Sequence, residues 1–219
     1  MSLTADNKSL ATDHLLPLLE RLSPMPKKEF AHFVSRLTFR RLTRGEFLTR
    51  AGEAADEVGF VVKGLFRKAH VTPRGKPIVR GFGGAGSVIG AYVSLLTGEP
   101  SYLDVEALCE SELFVLKWSE LNALYARHAC FQTIGRRLAE LTLLEREARA
   151  HELLTLSASE RYARFRETHR ALLPELRSYD IASYLGITPV SLSRLRKRAI
   201  ATRKSASAVA ASRLRKRGQ

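Results

Sequence analysis

The chain has 219 residues, of which 45% are hydrophobic and 26% charged, with a formal net charge of +14. That balance suits an ordinary soluble globular protein of one large or two modest domains, able to bury a core without disulfide staples. No stretch approaches the roughly 20 apolar residues needed to span a membrane, and Cys109 and Cys130 stand at no metal-ligand spacing, so a disulfide framework and a Cys-rich zinc site are both excluded.

Residues 1–19 are interrupted by Asp6, Lys8, Asp13 and His14 and contain no apolar core fit for a signal peptide. With the sparse cysteines, this gives a cytoplasmic location as the expectation. Over 15–39, Leu15, Leu16, Leu19 and Leu22 recur at helical spacing, Ser23-Pro24 breaks the run, and Pro26 opens a second short helix through Phe33.

From about Thr38 to Trp118 the pattern changes. Glycines punctuate short β-branched and aromatic runs at 47–49, 58–62, 65–71, 78–79, 102–108 and 113–116. Such spacing predicts an antiparallel sandwich or barrel. Pro73-Arg74-Gly75-Lys76 has the composition of a hairpin turn.

Residues 131–156 contain no proline and a single glycine, Gly135. They predict a helix of about 26 residues, near 39 Å long at about 1.5 Å per residue. That exceeds what a domain of this size needs for its own core. Phe131, Ile134, Leu138, Leu141, Leu144 and Ala148 supply an apolar side, and pairing with a second copy is favoured over a lone helix lying on the β zone. Ser157 and Glu160 then have capping-box spacing, opening a helix to about Ala171.

Residues 178–198 read SYDIASYLGITPVSLSRLRKR. Ile181, Ala182 and Leu185 form one helical face, Gly186 suits a left-handed stop, Thr188 is a good N-cap, and Pro189 suits the first helical position. Leu192 and Leu195 give a second helix its inner face. Two short helices, a turn with glycine and a basic second helix make a helix-turn-helix. In that motif the second helix enters the major groove. Arg194 then suits guanine, Ser191 and Ser193 suit bases or phosphates, and Arg196, Lys197 and Arg198 suit phosphate anchors. Thr188, Pro189 and Val190 lie at its groove-facing start, and Ser183 and Tyr184 on the first helix reach towards phosphate. After Asp180 there is no acidic residue but ten Lys or Arg, so a near-balanced body carries a strongly cationic end. Six of those ten fall in 199–219, a small, polar, basic stretch that either adds non-specific DNA contact or is a solvated end of little consequence.

GEFLTRAGEAADEVGFVVKGLFRK, GKPIVRGFGGAGSVIG, LLTGEPSYLDVEAL, ERYARFRETH and IASYLGITPVSLSRLRK together resemble the Crp/Fnr family of bacterial transcription regulators, over roughly residues 25–198. The resemblance implies an α+β chain: an N-terminal β-roll of the cyclic-nucleotide-binding jelly-roll type with preceding helices (1–126), a dimerisation helix (127–156) and a C-terminal winged helix-turn-helix domain with the basic tail (157–219). It also implies a homodimer on double-stranded DNA and contact with RNA polymerase. Cyclic-nucleotide binders of the family carry a Glu shortly after a Gly, for the ribose, and an Arg-Ser pair about ten residues on, for the phosphate. Here Gly90 is followed by Ala91, and Ser101 and Tyr102 hold the Arg-Ser positions. A buried phosphate without its cation is expensive to desolvate, so weak or absent cyclic AMP binding is expected. Phe82, Gly90, Ala91, Tyr92, Ser101 and Tyr102 are candidates to line a pocket for another effector, with core packing the favoured role of the aromatic ones. Cysteines are absent before Cys109, against an iron–sulfur sensor, and a lone His70 reads as a satisfied or surface residue rather than a haem ligand.

No H-E-x-x-H, G-x-S-x-G or P-loop occurs, so no catalytic residue, metal ligand or cofactor is assigned. The competing reading is a small-molecule or cyclic-nucleotide sensor with weak, mainly non-specific DNA binding.

Overall fold

The computed structural model describes residues 3–72 and 75–198. The chain forms two compact units, Met1–Arg149 and Ala150–Gln219.

The first unit opens with α1 (Ala5–Glu20), capped by Thr4, whose hydroxyl accepts from the Asn7 N–H at 3.3 Å. The helix starts about ten residues before the leucine run that predicts it. Its first half is polar and buries only Ala11, so apolar periodicity cannot reveal it. α2 (Lys27–Arg36) follows Pro26 and is fixed at its start by Glu29, buried and held by Arg127 through bonds of 2.7 and 3.3 Å.

The β zone holds β1 (Thr38–Leu42), β2 (Phe47–Thr49), β3 (Glu57–Lys63), β4 (Leu65–Val71), β5 (Pro77–Gly84), β6 (Val88–Ile89), β7 (Leu103–Ala107) and β8 (Ser111–Lys117). They pair antiparallel in two four-stranded sheets, β1-β8-β3-β6 and β2-β7-β4-β5. A short α3 (Tyr92–Thr97) lies between β6 and β7. Thr72 and Gly75 close the β4–β5 turn by backbone bonds, while Pro73 and Arg74 lie outside the described residues.

Strands β3 and β8 are buried on both faces, which is why they read as unbroken apolar runs. On one face Val61, Leu113 and Val115 join Leu42, Phe66, Ile89, Val105 and Ala107 between the sheets. On the other, Val58, Phe60, Val62, Phe114 and Leu116 meet the helices, with the Phe33 ring edge-on to Phe60 at 5.5 Å. Gly59 faces inward where a Cβ would stand 3.0 Å from both Ile89 and Leu113, so the sheets close there only without a side chain.

α4 (Trp118–Arg127) and α5 (Ala129–Thr155) complete this side. Phe131 and Ile134 do not face a partner, contrary to the sequence reading. They are 3% and 6% exposed in the protomer's own core beside Phe33, and Leu138 packs against the same cluster. Apolar spacing marks the inner side of a helix but does not say which neighbour fills it. Further along, Leu141 and Leu144 are 49% and 64% exposed, and Ala148 is exposed.

The second unit contains the end of α5, then α6 (Ala158–Thr168), α7 (Ser178–Leu185) and α8 (189–198). The expected α6 is shorter than the sequence suggests: residues 169–175 form turns instead. Among the described residues of this unit no strand occurs. The basic stretch 199–219, where a wing following α8 would fall, lies outside them.

Candidate nucleic-acid interface and effector pocket

The helix-turn-helix is built from local rules. Ser157 caps α6: its hydroxyl accepts from the Glu160 N–H at 3.3 Å, and the Glu160 carboxylate accepts from the Ser157 N–H at 2.8 Å. The Ser157 hydroxyl, and then its backbone N–H, hold the Glu160 carboxyl below the usual range. Arg161 donates from Nε to the Leu185 carbonyl at 3.0 Å, tying α6 to the end of α7. The Phe165 ring, 2% exposed, stacks on His169 at 4.6 Å and leans on Tyr184 at 5.1 Å. Asp180 is fully buried in the first turn of α7 and accepts from Arg177 at 2.9 Å.

α7 ends as its sequence predicts. Gly186 sits at φ 68°, the Ile187 N–H donates to the Ala182 carbonyl and the Gly186 N–H to that of Ser183. This is the Schellman closure, for which glycine carries no Cβ penalty. Thr188 then caps α8: its hydroxyl accepts from the Ser191 N–H at 3.1 Å. Leu192 is 1% exposed and Ile181, Ala182 and Leu185 are likewise buried, while Leu195 is half-buried.

The outward face of α8 is consequently fixed. Pro189, Val190, Ser193, Arg194, Lys197 and Arg198 are exposed. Val190, Arg194 and Lys197, spaced by four and three, share one side with Ser193 close by. The structure brings these residues together and sets others apart. Ser191 is half-buried, its hydroxyl 2.9 Å from that of Thr188. Arg196, expected at phosphate, donates to the Ser178 hydroxyl at 2.7 Å and so joins α8 to the start of α7. Ser183 and Tyr184 are half-buried, and the Tyr184 ring lies against Phe165 and His169. Sequence reasoning passed over Arg161, Asp180 and Ser178 as supports, because only their side-chain partners reveal the role.

The candidate effector residues lie on β5 and around β6, α3 and the start of β7. Ala91 is 2% exposed and precedes α3, where no side chain caps the helix. Ser101 is 3% exposed; its hydroxyl donates to the Leu103 carbonyl at 2.8 Å and accepts from the Leu103 N–H at 3.0 Å. Ser101 thus holds a neutral hydroxyl spent on its own loop. Gly90 lies against the Glu57 carbonyl, and Phe82 and Tyr92 are half-buried, Tyr92 edge-on to Trp118. Core packing does not account for Tyr102. It is 44% exposed and stacks on His70 at 5.2 Å, with the rings 9° from parallel.

Two paired four-stranded antiparallel sheets with a short helix between β6 and β7 define a β-roll of the cyclic-nucleotide-binding class, and residues 39–128 match the family described as "Cyclic nucleotide-binding domain". Over a longer stretch the fold is similar to that of FixK2 from Bradyrhizobium japonicum, at 24% identity over 76% of this chain and 85% of that one, with a TM-score of 0.66. It is similar also to CLP, the c-di-GMP responsive global regulator of Xanthomonas campestris, at 19% identity over 81% and 93% of the two chains and a TM-score of 0.63. The Thermus thermophilus Catabolite Activator Protein aligns at 21% identity over 85% and 88%, with a TM-score of 0.53. These likenesses establish the fold. No curated protein matches the chain. Among the described residues no helix is long and apolar enough to cross a membrane.

Proposed function

We propose that the chain is a sequence-specific, DNA-binding transcription regulator of Crp/Fnr type, acting as a homodimer. The observation that carries the reading is the α7–α8 pair. A glycine-closed turn and a threonine-capped second helix present Val190, Ser193, Arg194 and Lys197 outward together. Such a helix fits the major groove, with Arg194 reading guanine through O6 and N7, Val190 offering apolar contact to a thymine methyl, and Lys197 and Arg198 holding phosphate. Arg196 supports the motif through Ser178. The dimer forms along the exposed side of α5, through Leu141, Leu144 and Ala148. RNA polymerase is the further partner.

The β-roll is the sensing unit, and its effector is not cyclic AMP. The supporting observation is the neutral, internally bonded Ser101 where a phosphate would need its cation. Gel retardation on genomic fragments, with a salt titration and excess competitor DNA, tests the DNA-binding reading. Specific complexes survive competitor; retardation that competitor abolishes at all fragments supports instead a sensor with only non-specific DNA affinity. Calorimetry giving micromolar cyclic AMP affinity would overturn the effector reading.

A further inference from the structure

The inner face of β4 changes character along its length. Phe66, Lys68 and His70 alternate onto one side of the strand. Phe66 lies in the core between the sheets, and so does Val105, the residue of β7 paired with Lys68; Leu103, also buried, pairs with His70. The side that is apolar at Phe66 therefore becomes basic at the next two inward positions. On β5, Lys68 pairs with Gly81 and Ala69 with Val79, which leaves Arg80 as the extra residue of a bulge. Bulges re-aim side chains. Arg80 Nη1 stands 3.5 Å from His70 Nε2, and Arg80 also hydrogen-bonds Tyr102, whose ring stacks on His70.

Arg146 of α5 adds a further positive charge. It acts on Lys68, His70 and Arg80 alike, and each of the three is held below its ordinary pKa, first by burial and then by neighbouring charge. Glu145 is the carboxylate that opposes this, at Lys68. Among the described residues none of Lys68, Arg80 and Arg146 forms an ion pair with a carboxylate. Gathering cations in a partly desolvated place without counter-charge is costly, and a bound anion removes the cost. Two guanidinium groups also match the planar oxygens of carboxylate or phosphate.

We infer that Lys68, His70, Arg80 and Arg146, with the Tyr102 hydroxyl, form a site for a compact multivalent anion, a small molecule bearing two or more carboxylate or phosphate groups. The inference rests on the β-roll being the sensing unit and gives its effector a chemical class. The charge absent from Ser101 is supplied from β4, β5 and α5 instead.

The test is thermal unfolding and calorimetry of the full chain with inorganic pyrophosphate and, separately, citrate, against chloride at matched ionic strength. The melting temperature rises with at least one of the two anions. Arg80→Gln and Arg146→Gln each weaken binding tenfold or more while melting normally without anion. Arg146 lies on the partly exposed side of a helix, so its variant keeps the test valid should Arg80→Gln fold poorly. A triple variant Lys197→Gln, Arg198→Gln, Arg194→Gln leaves the shift intact. The proposal is overturned if neither anion shifts the wild type, if both cluster variants respond as the wild type does, or if the triple variant abolishes the response, which would place the anion on the basic end. Gel retardation without anion reads the DNA-binding proposal separately.

Discussion

The exposed side of α5 gives the sharpest quantitative expectation. Leu141 and Leu144 are 49% and 64% exposed, on a helix whose earlier apolar residues, Phe131 and Ile134, are already consumed by the protomer's core. Fully burying a leucine side chain is worth about 1.5–3 kcal/mol. With roughly half of each side chain still open to water, each contributes about 1–1.5 kcal/mol on pairing. A two-fold interface uses each residue twice, so the four leucines supply about 4–6 kcal/mol. At about 1.4 kcal/mol per factor of ten, Leu141→Ser with Leu144→Ser weakens the dimer by about three to four orders of magnitude. Sedimentation equilibrium of wild type and double variant across nanomolar to micromolar concentration reads this directly. Circular dichroism stays unchanged, since neither side chain is part of the protomer core. DNA affinity falls with dimer population because one half-site is lost. A wild type that sediments as a monomer at tens of micromolar, or a double variant that dimerises as tightly as the parent, would refute the reasoning.

Three further outcomes are expected. Gly186→Ala forces a Cβ into a residue at φ 68°, at a cost of about 1–2 kcal/mol; chemical denaturation of the two proteins measures it, and an unchanged midpoint argues against the Schellman closure. Glu29 is held below the ordinary carboxylate range chiefly by its hydrogen bonds to Arg127. A depressed folded pKa means that its contribution is complete above the unfolded value of about 4.3 and is lost as pH falls from there through the folded value. Stability of the wild type therefore falls more steeply below about pH 4.3 than that of Glu29→Gln, and parallel acid-unfolding curves would contradict this. Arg194→Ala relaxes base preference at one position of the selected site and costs about 1–3 kcal/mol there, whereas Lys197→Ala weakens all sequences alike and lowers the salt slope by about 1. Site selection with a salt titration distinguishes the two, and the reverse assignment of effects would exchange the roles of the two side chains.

What the letters reveal depends on whether the determining partner is near in sequence. The Ser157–Glu160 capping box and the Gly186–Thr188 turn are legible because each is closed by residues within a few positions, and each forms as read. β2 and β4 fall on their predicted residues, because period-two runs bounded by turn residues need no distant information. α1 begins early because a Thr cap and an acidic first turn start a helix without any apolar stripe. α3 and α4 carry no long apolar stripe by which the sequence alone would mark them. For Phe131 and Ile134 the apolar side is right and its neighbour wrong, since Phe33, a hundred residues away in sequence, supplies the contact.

The pocket shows the same limit most sharply. Alternation along FRKAHV puts Phe66, Lys68 and His70 on one side, but the sequence does not say which side is inward. That is decided by Val105 and Leu103 on β7, paired across the sheet. Nor does it show that β5 pairs with β4: the ladder sets Gly81 opposite Lys68 and Val79 opposite Ala69, with Arg80 as the extra residue between them, and Arg80 meets His70 there. Alternation along β5 sets Arg80 on the opposite side from Val79, the partner of Ala69, and so on the side of Lys68 and His70, but only the pairing of β5 with β4 brings the three together. Reading motifs position by position therefore finds the vacancy at Ser101 and not its compensation. The cations of the proposed anion site stand on β4, β5 and α5, on residues that match no phosphate signature because their meeting is a product of register.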